Sequence, residues 1–269
     1  MISPDNLPLG KIGMRRGMSA TPYNSGFYDR QSDGSRRSAD AIVPVLMDWL
    51  APKSVLDIGC GVGTWCAAFE QAGVPIVAGI DGPWVDQSKL QMKPDGFVTF
   101  DFATAPKPYA PALPAERFDL AVTFEVLEHI NPAHAADAVA MITRLADVVV
   151  AGAAIPGQGG RHHVNEQWPS YWRDLFGAQG FEAFDCVRPV VAQLDGIDPW
   201  YAQNPILYAR APFAPELKAR LDSAVIAALA KPAPWVHPAL YQGAKRKLAR
   251  AARPVSTRWA EWRSKTGRK

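Results

Sequence analysis

Val55-Leu-Asp-Ile-Gly-Cys-Gly-Val-Gly-Thr-Trp65 is the stretch that decides the fold. An apolar strand with one acid inside it runs into a turn with glycine at every second position, and the turn opens a helical pattern. Gly59, Gly61 and Gly63 let the backbone bend tightly and approach a ligand closely. The helix N-terminus then offers free N–H groups and the positive end of a dipole.

Working outward, strand and helix patterns alternate. Residues 54–58, 75–80, 97–100, 118–124 and 147–154 read as buried strands. Helices are expected at 64–72, 84–90, 133–144 and 169–178. Two more strands, at 181–187 and 206–210, would complete the sheet. Alternation of this kind predicts a doubly wound α/β sheet of about seven strands, the last antiparallel, flanked by helices. Upstream, Ile42, Val43, Leu46, Met47 and Leu50 recur at helical spacing, so a helix is expected over 36–50, with Pro44 awkward inside it. The expected organisation is an irregular arm at 1–35, a domain at 36–212 and a helical, basic extension at 213–269.

Charge sharpens this division. The net charge is +3, yet residues 244–269 carry ten Lys/Arg and one acid, or +9, which leaves the rest at −6. The tail's basic residues and its two tryptophans, Trp259 and Trp262, suit contact with an anionic membrane face or with RNA phosphates. They suit a solvated terminus equally. Three cysteines without a CxxC pair point to a reducing cytoplasm. The first residues carry no apolar run of secretion-signal type, and no apolar stretch reaches spanning length.

Asp57 within the first strand, the GxGxG turn, Asp81 about 20 residues later and Asp101 after the third strand together resemble motif I and the following acids of class I S-adenosylmethionine (SAM) methyltransferases. SRRSAD (35–40), GIDGPWVDQSKL (79–90), FDLAVTFEVLEHI (118–130), AAIPGQGGRHHVNEQWPSYWRDLF (153–176) and WYAQNPILYA (200–209) narrow the resemblance. Together they are similar to a bacterial methyltransferase family often found among polysaccharide and glycosyltransferase genes. The resemblance implies a Rossmann-like fold and SAM as cofactor. It implies a cofactor wall of Asp57, Gly59, Cys60, Gly61, Gly63 and Trp65 on the turn. Asp81 and Gly82 would lie at the ribose, and Asp101, Phe102 and Phe124 around the adenine and the strand ends.

Transfer to an oxygen needs a base near the methyl carbon. His163 is the first candidate, with His129 and Glu125 beside it. His162, Asn165, Glu166 and Gln167 are placed to hydrogen-bond a polyol, and Trp168, Tyr171 and Trp172 to stack on a sugar, or else to fill the core. Glu125, Glu128 and His129 at i, i+3, i+4 would share one helical face. This stretch resembles the ubiquinone-pathway O-methyltransferases. It also resembles the small-RNA 2′-O-methyltransferases, in which Glu and His residues hold a divalent cation. A metal site of Glu125, Glu128, His129 and His162 or His163 is therefore an alternative, though not the favoured one. The leading expectation is O-methylation of a sugar hydroxyl or related small polar acceptor in glycan biosynthesis. Metal-assisted RNA 2′-O-methylation and a non-catalytic SAM-binding scaffold are the rivals. A nucleic-acid partner is not favoured, because only the tail is strongly basic. His134 and His237 read as structural.

Overall fold

The computed structural model describes residues 25–102, 104, 105, 109–211 and scattered positions between 215 and 246. The arm up to residue 24 and nearly all of the basic extension lie outside the described residues, as do the readings made of them. Seven strands form one sheet: β1 (Ser54–Ile58), β2 (Ile76–Asp81), β3 (Phe97–Thr99), β4 (Leu120–Phe124), β5 (Val148–Gly152), β6 (Phe181–Phe184) and β7 (Ile206–Arg210). Their order is β3-β2-β1-β4-β5-β7-β6. β1 to β5 run parallel, and β7 inserts antiparallel between β5 and β6.

The helices are α1 (Ser25–Leu50), α2 (Thr64–Gln71), α3 (Pro132–Leu145), α4 (Pro169–Gly177), α5 (Val187–Val191) and α6 (Pro199–Gln203). Strand residues alternate between two cores, as the period of a strand requires. Val55, Leu120, Val122 and Leu207 pack under Ile42, Leu46 and Phe69 of α1 and α2. Leu56, Ile58, Ala121 and Tyr208 pack under Val139, Ile142, Trp172 and Phe176 of α3 and α4. No helix among the described residues is long and apolar enough to cross a membrane.

Three expectations need correction. α1 starts at Ser25, eleven residues before the sequence pattern suggested, so 25–35 is not an irregular arm. The added turns are held by long-range contacts. Ser35 Oγ meets Tyr201 Oη at 2.6 Å, and Ser38 Oγ accepts the Asp198 N–H at 3.1 Å. Gly34 allows this approach, since a Cβ there would overlap the Asp198 carboxyl. Pro44 sits on the exposed side of α1, where its missing N–H costs least while Ile42, Val43 and Leu46 anchor the other face. Second, the segment expected as a helix at 84–90 holds only a 3₁₀ turn, Gln87–Lys89. Third, α5 and α6 were not foreseen, because five-residue helices are too short to show a period.

Gly59 is held at φ +78°, and a Cβ on it would overlap the side chain of Val126, which follows β4. Gly73 has φ +88° with open space around it. Left-handed backbone costs a non-glycine residue about 1–2 kcal/mol. Gly73→Ala should therefore lower stability by about that amount. Gly59→Ala should cost at least about twice as much, because the overlap adds to the strain. Thermal unfolding of both variants checks this.

Candidate active site

At the carboxyl ends of β1, β2 and β4, where the strand order reverses, a cavity of about 810 Å³ opens. Its floor is the glycine turn. The N–H groups of Gly59 and Cys60 donate to Ile80 O at 2.8 and 3.1 Å, and Gly61 N–H donates to Asp81 Oδ2 at 2.7 Å. Asp81 Oδ1 accepts Gly82 N–H at 2.6 Å and Trp84 Nε1–H at 2.9 Å. Three of the roughly four lone-pair sites of the carboxylate are thus taken by the protein. Asp81 has about one site left for a ribose hydroxyl. Burial raises its pKa, and the three N–H donors counter that rise.

Asp57, 2 % exposed, lines the same wall. Burial, then the charge of Asp81, pushes its carboxyl up to about 8. Cys60 also lines the cavity, but burial pushes its thiol up to about 11, so it is a packing residue rather than a nucleophile. Asp101 lies two residues beyond the end of β3 and accepts Thr104 Oγ1–H at 2.9 Å. Asp101, Phe102, Gly82, Trp65 and Phe124 all face the cavity as expected. Gly63 ends the turn at φ +79° and caps α2. Ser35, Trp84 and Tyr201 face the cavity too and were missed. Ser35 and Tyr201 reach it through long-range packing, but Trp84 lies just after Asp81 and could have been included.

On the acceptor side the helical spacing of Glu125, Glu128 and His129 misleads. Glu125 is left-handed, with φ +58°, and Leu127–His129 is a 3₁₀ turn, so the three do not share a helical face. Glu125 Oε1 accepts Asn204 Nδ2–H at 2.6 Å and Oε2 accepts Gln158 Nε2–H at 2.7 Å. Partly buried on the cavity wall, it has its carboxyl pushed up to about 7 by the surrounding protein. Glu128 is 0 % exposed, and neither carboxyl oxygen has a hydrogen bond of normal geometry among the described residues. Burial and then Glu125 raise its pKa well above the usual range.

His163 does not line the cavity, which corrects its place as first candidate base. Its Nδ1 lies 2.9 Å from Glu166 Oε1 and its Nε2 3.8 Å from Glu128 Oε1. Gly160 packs on the ring so closely that a Cβ would overlap it. Glu166 also accepts the N–H groups of Gly157 and Gly159, each at 2.7 Å, and so ties the glycine loop to His163. Burial opposes ionisation of Glu166, but His163 and these N–H groups outweigh it and hold the carboxyl below its usual range.

The imidazoles on the cavity wall are His129, His162 and His134. His134 had been read as structural; it sits just inside α3, whose start is fixed by Asn131 Oδ1 accepting Ala133 N–H. His129 stands edge-on to His163, ring centroids 4.9 Å apart, with Nδ1 3.3 Å from His162 O. Burial, then His163, pushes its pKa down to about 4.

Residues 165–172 frame the site rather than line it. Asn165 is buried and accepts Gln167 Nε2–H at 3.0 Å. Trp172 is core, Tyr171 packs edge-on against it, and Trp168 is 39 % exposed. None of these aromatics reaches the cavity, which corrects their expected stacking on an acceptor; within 153–176 only His162 and Val164 do. Glu128, His129 and His163 each offer a ligand atom, all within 4.8 Å of one another, so the donor set suits a divalent cation after a modest contraction. Glu125 and His162 stand outside that group.

Asp57, Glu125 and Glu128 hold protons in the folded chain that an unfolded chain releases above about pH 4.5. Each therefore makes stability fall as pH rises from the unfolded toward the folded pKa. His129 acts oppositely, but only between about 4 and 6.5. Glu166 and Asp147, with lowered pKa, act only below about 4.5. Without ligand, the midpoint of thermal unfolding should thus fall between about pH 6.5 and about pH 8, and Asp57→Asn should flatten the fall. A midpoint that rises across that window would contradict the buried, protonated carboxyls.

A family model described as a methyltransferase domain matches residues 30–182. Ubiquinone biosynthesis O-methyltransferases of Bradyrhizobium sp. (strain ORS 278) and Rhodopseudomonas palustris (strain BisB5) are each 27 % identical to the chain. The matches cover 49 % and 48 % of this chain and 48 % and 47 % of theirs. The chain thus spans about half the length of these relatives. A solved structure from Nostoc punctiforme, described as a candidate O-methyltransferase, superposes with a TM-score of 0.51 at 16 % identity. It covers 68 % of this chain and 59 % of its own, and the likeness extends to the fold. With the glycine turn, the acids beyond it and the domain match in agreement, the chain belongs to the methyltransferase-domain family and is a SAM-dependent methyltransferase.

Proposed function

We propose that the protein methylates a hydroxyl of a sugar or related small polar acceptor, in glycan or polysaccharide biosynthesis in the cytoplasm. The observation that carries this reading is His129, a neutral imidazole on the cavity wall beyond the glycine turn. Held by the Gly59–Gly63 turn, Asp81 and Asp101, SAM supplies an electrophilic methyl group on a positively charged sulfur. The His162 carbonyl suits an N–H at Nδ1 of His129, which leaves Nε2 as the proton acceptor. With a pKa near 4 the ring is unprotonated at neutral pH and a weaker base than an ordinary imidazole, so it takes the hydroxyl proton only as the methyl group transfers. His163, fixed by Glu166, braces His129 edge-on and is a positioning residue. Asn131, His134 and His162 offer hydrogen bonds to a polyol, and Val126, Ile130 and Val164 an apolar surface for the C–H face of a sugar. The similarity to ubiquinone biosynthesis O-methyltransferases supports oxygen as the acceptor atom.

A second reading rests on Glu128, whose buried carboxyl lies 3.8 Å from His163 Nε2 with no hydrogen bond of normal geometry among the described residues. A divalent cation held by Glu128, His129 and His163 would lower the pKa of an acceptor hydroxyl.

Methyl-labelled SAM, incubated with the protein and an extract separated into glycan, lipid, RNA and protein fractions, tests the first reading. Label is expected in glycan or glycolipid, and label confined to RNA or protein would overturn it. With an acceptor in hand, His129→Ala should lower kcat by about 10²–10⁴-fold while SAM affinity stays within about threefold. Treatment with EDTA separates the two readings. Activity retained after chelation supports the first, and activity lost and restored by added Zn²⁺ or Mg²⁺ supports the second.

A further inference from the structure

Glu125 ends the β4 segment in a conformation that most residues avoid. At φ +58° a glutamate is strained, and such strain persists only where the surroundings fix it. Here they do. Gln158 from the glycine loop and Asn204 from the turn before β7 each place an amide N–H on one carboxylate oxygen. Their orientation is fixed in turn: Asn204 Nδ2 also donates to Gln158 Oε1 at 3.1 Å, and Gln203 Nε2 donates to Asn204 Oδ1 at 3.0 Å. These bonds fix the carboxylate against the glycine loop and the turn before β7.

Its environment lacks one thing. Both hydrogen-bond donors are neutral, and no cationic side chain among the described residues forms an ion pair with it. The nearby ionisable groups, Glu128 and Glu166, are themselves acids. A carboxylate in such a place is stabilised chiefly by a cation that arrives with a ligand.

The position identifies the cation. Asp81 and Asp101, beyond β2 and β3, mark the nucleoside half of the cavity, while Val126 and His129 mark the acceptor half. Glu125 directly follows β4, which lies across β1 from β2 and β3, and it lines the cavity beside Val126 on the side away from Asp81 and Asp101. We propose that the Glu125 carboxylate is the counter-ion of the cofactor's sulfonium, so that the cavity distinguishes the charged methyl donor from its neutral thioether product. The sulfur loses its charge on transfer, and the attraction that held the donor is lost with it. Glu125 therefore favours exchange of spent S-adenosylhomocysteine for fresh SAM. This inference rests on the SAM-dependent activity and not on the acceptor.

Calorimetric titration of the full chain tests it. Wild type should bind SAM, and sinefungin (which carries an ammonium in place of the sulfonium), at least about tenfold more tightly than S-adenosylhomocysteine. Glu125→Gln keeps the shape and removes the charge. It should weaken SAM and sinefungin by about tenfold or more and S-adenosylhomocysteine by less than about threefold. Equal weakening of all three would place Glu125 at their shared α-ammonium and overturn the proposal, as would no change in any. If the variant does not fold, the wild-type comparison still decides: equal affinities for the three ligands refute the counter-ion. Failure of wild type to bind SAM at all would instead refute the cofactor assignment.

Discussion

The hydrogen bond from Gly61 N–H to Asp81 Oδ2 couples the glycine turn to the end of β2, and the site depends on it. The turn is left-handed at Gly59, Gly61 and Gly63, a path that side chains at these three alternate positions would strain. The same carboxylate fixes Gly82 and Trp84, and so shapes the next stretch of cavity wall. One carboxylate thereby organises the floor, the ribose side and the approach to the adenine.

A second constraint follows from the number of acids gathered there. Asp57, Asp81, Glu125 and Glu128 lie in or just behind one wall, and burial raises every one of them. The folded chain thus holds an arrangement that is electrostatically costly when empty. A ligand with positive charge and hydroxyl donors relieves it, so binding and stability are coupled. Behind the acceptor wall the polar groups form a chain. Glu166 holds the glycine loop and His163, His163 braces His129, and His129 alone of these meets the cavity.

The sheet was legible because its signals are local. Apolar runs, glycine at Gly59, Gly61 and Gly63, and acids at strand ends need no knowledge of distant residues. The cofactor wall was legible for the same reason, apart from Ser35 and Tyr201, whose meeting across 166 residues no local pattern reveals. The acceptor side was harder. The spacing of Glu125, Glu128 and His129 implies a shared face only if the backbone is helical, and the left-handed turn at Glu125 breaks that premise. The run from Asn165 to Trp172 has the composition of a sugar site, yet Trp172 meets the aliphatic core beneath α4. Composition could not say on which side of the loop those rings fall. His134 was set aside because an imidazole early in a helix is usually structural; it lines the cavity from the first turn of α3.

The central claim is that one cavity, built on the Gly61–Asp81 contact, holds the methyl donor. Isothermal titration of SAM into wild type and Asp81→Ala tests it most directly. The account predicts a single site of 1:1 stoichiometry in wild type, and affinity reduced by at least about a hundredfold in the variant, since the carboxylate both holds the turn and faces the ribose. Undiminished binding by a folded Asp81→Ala protein would contradict it.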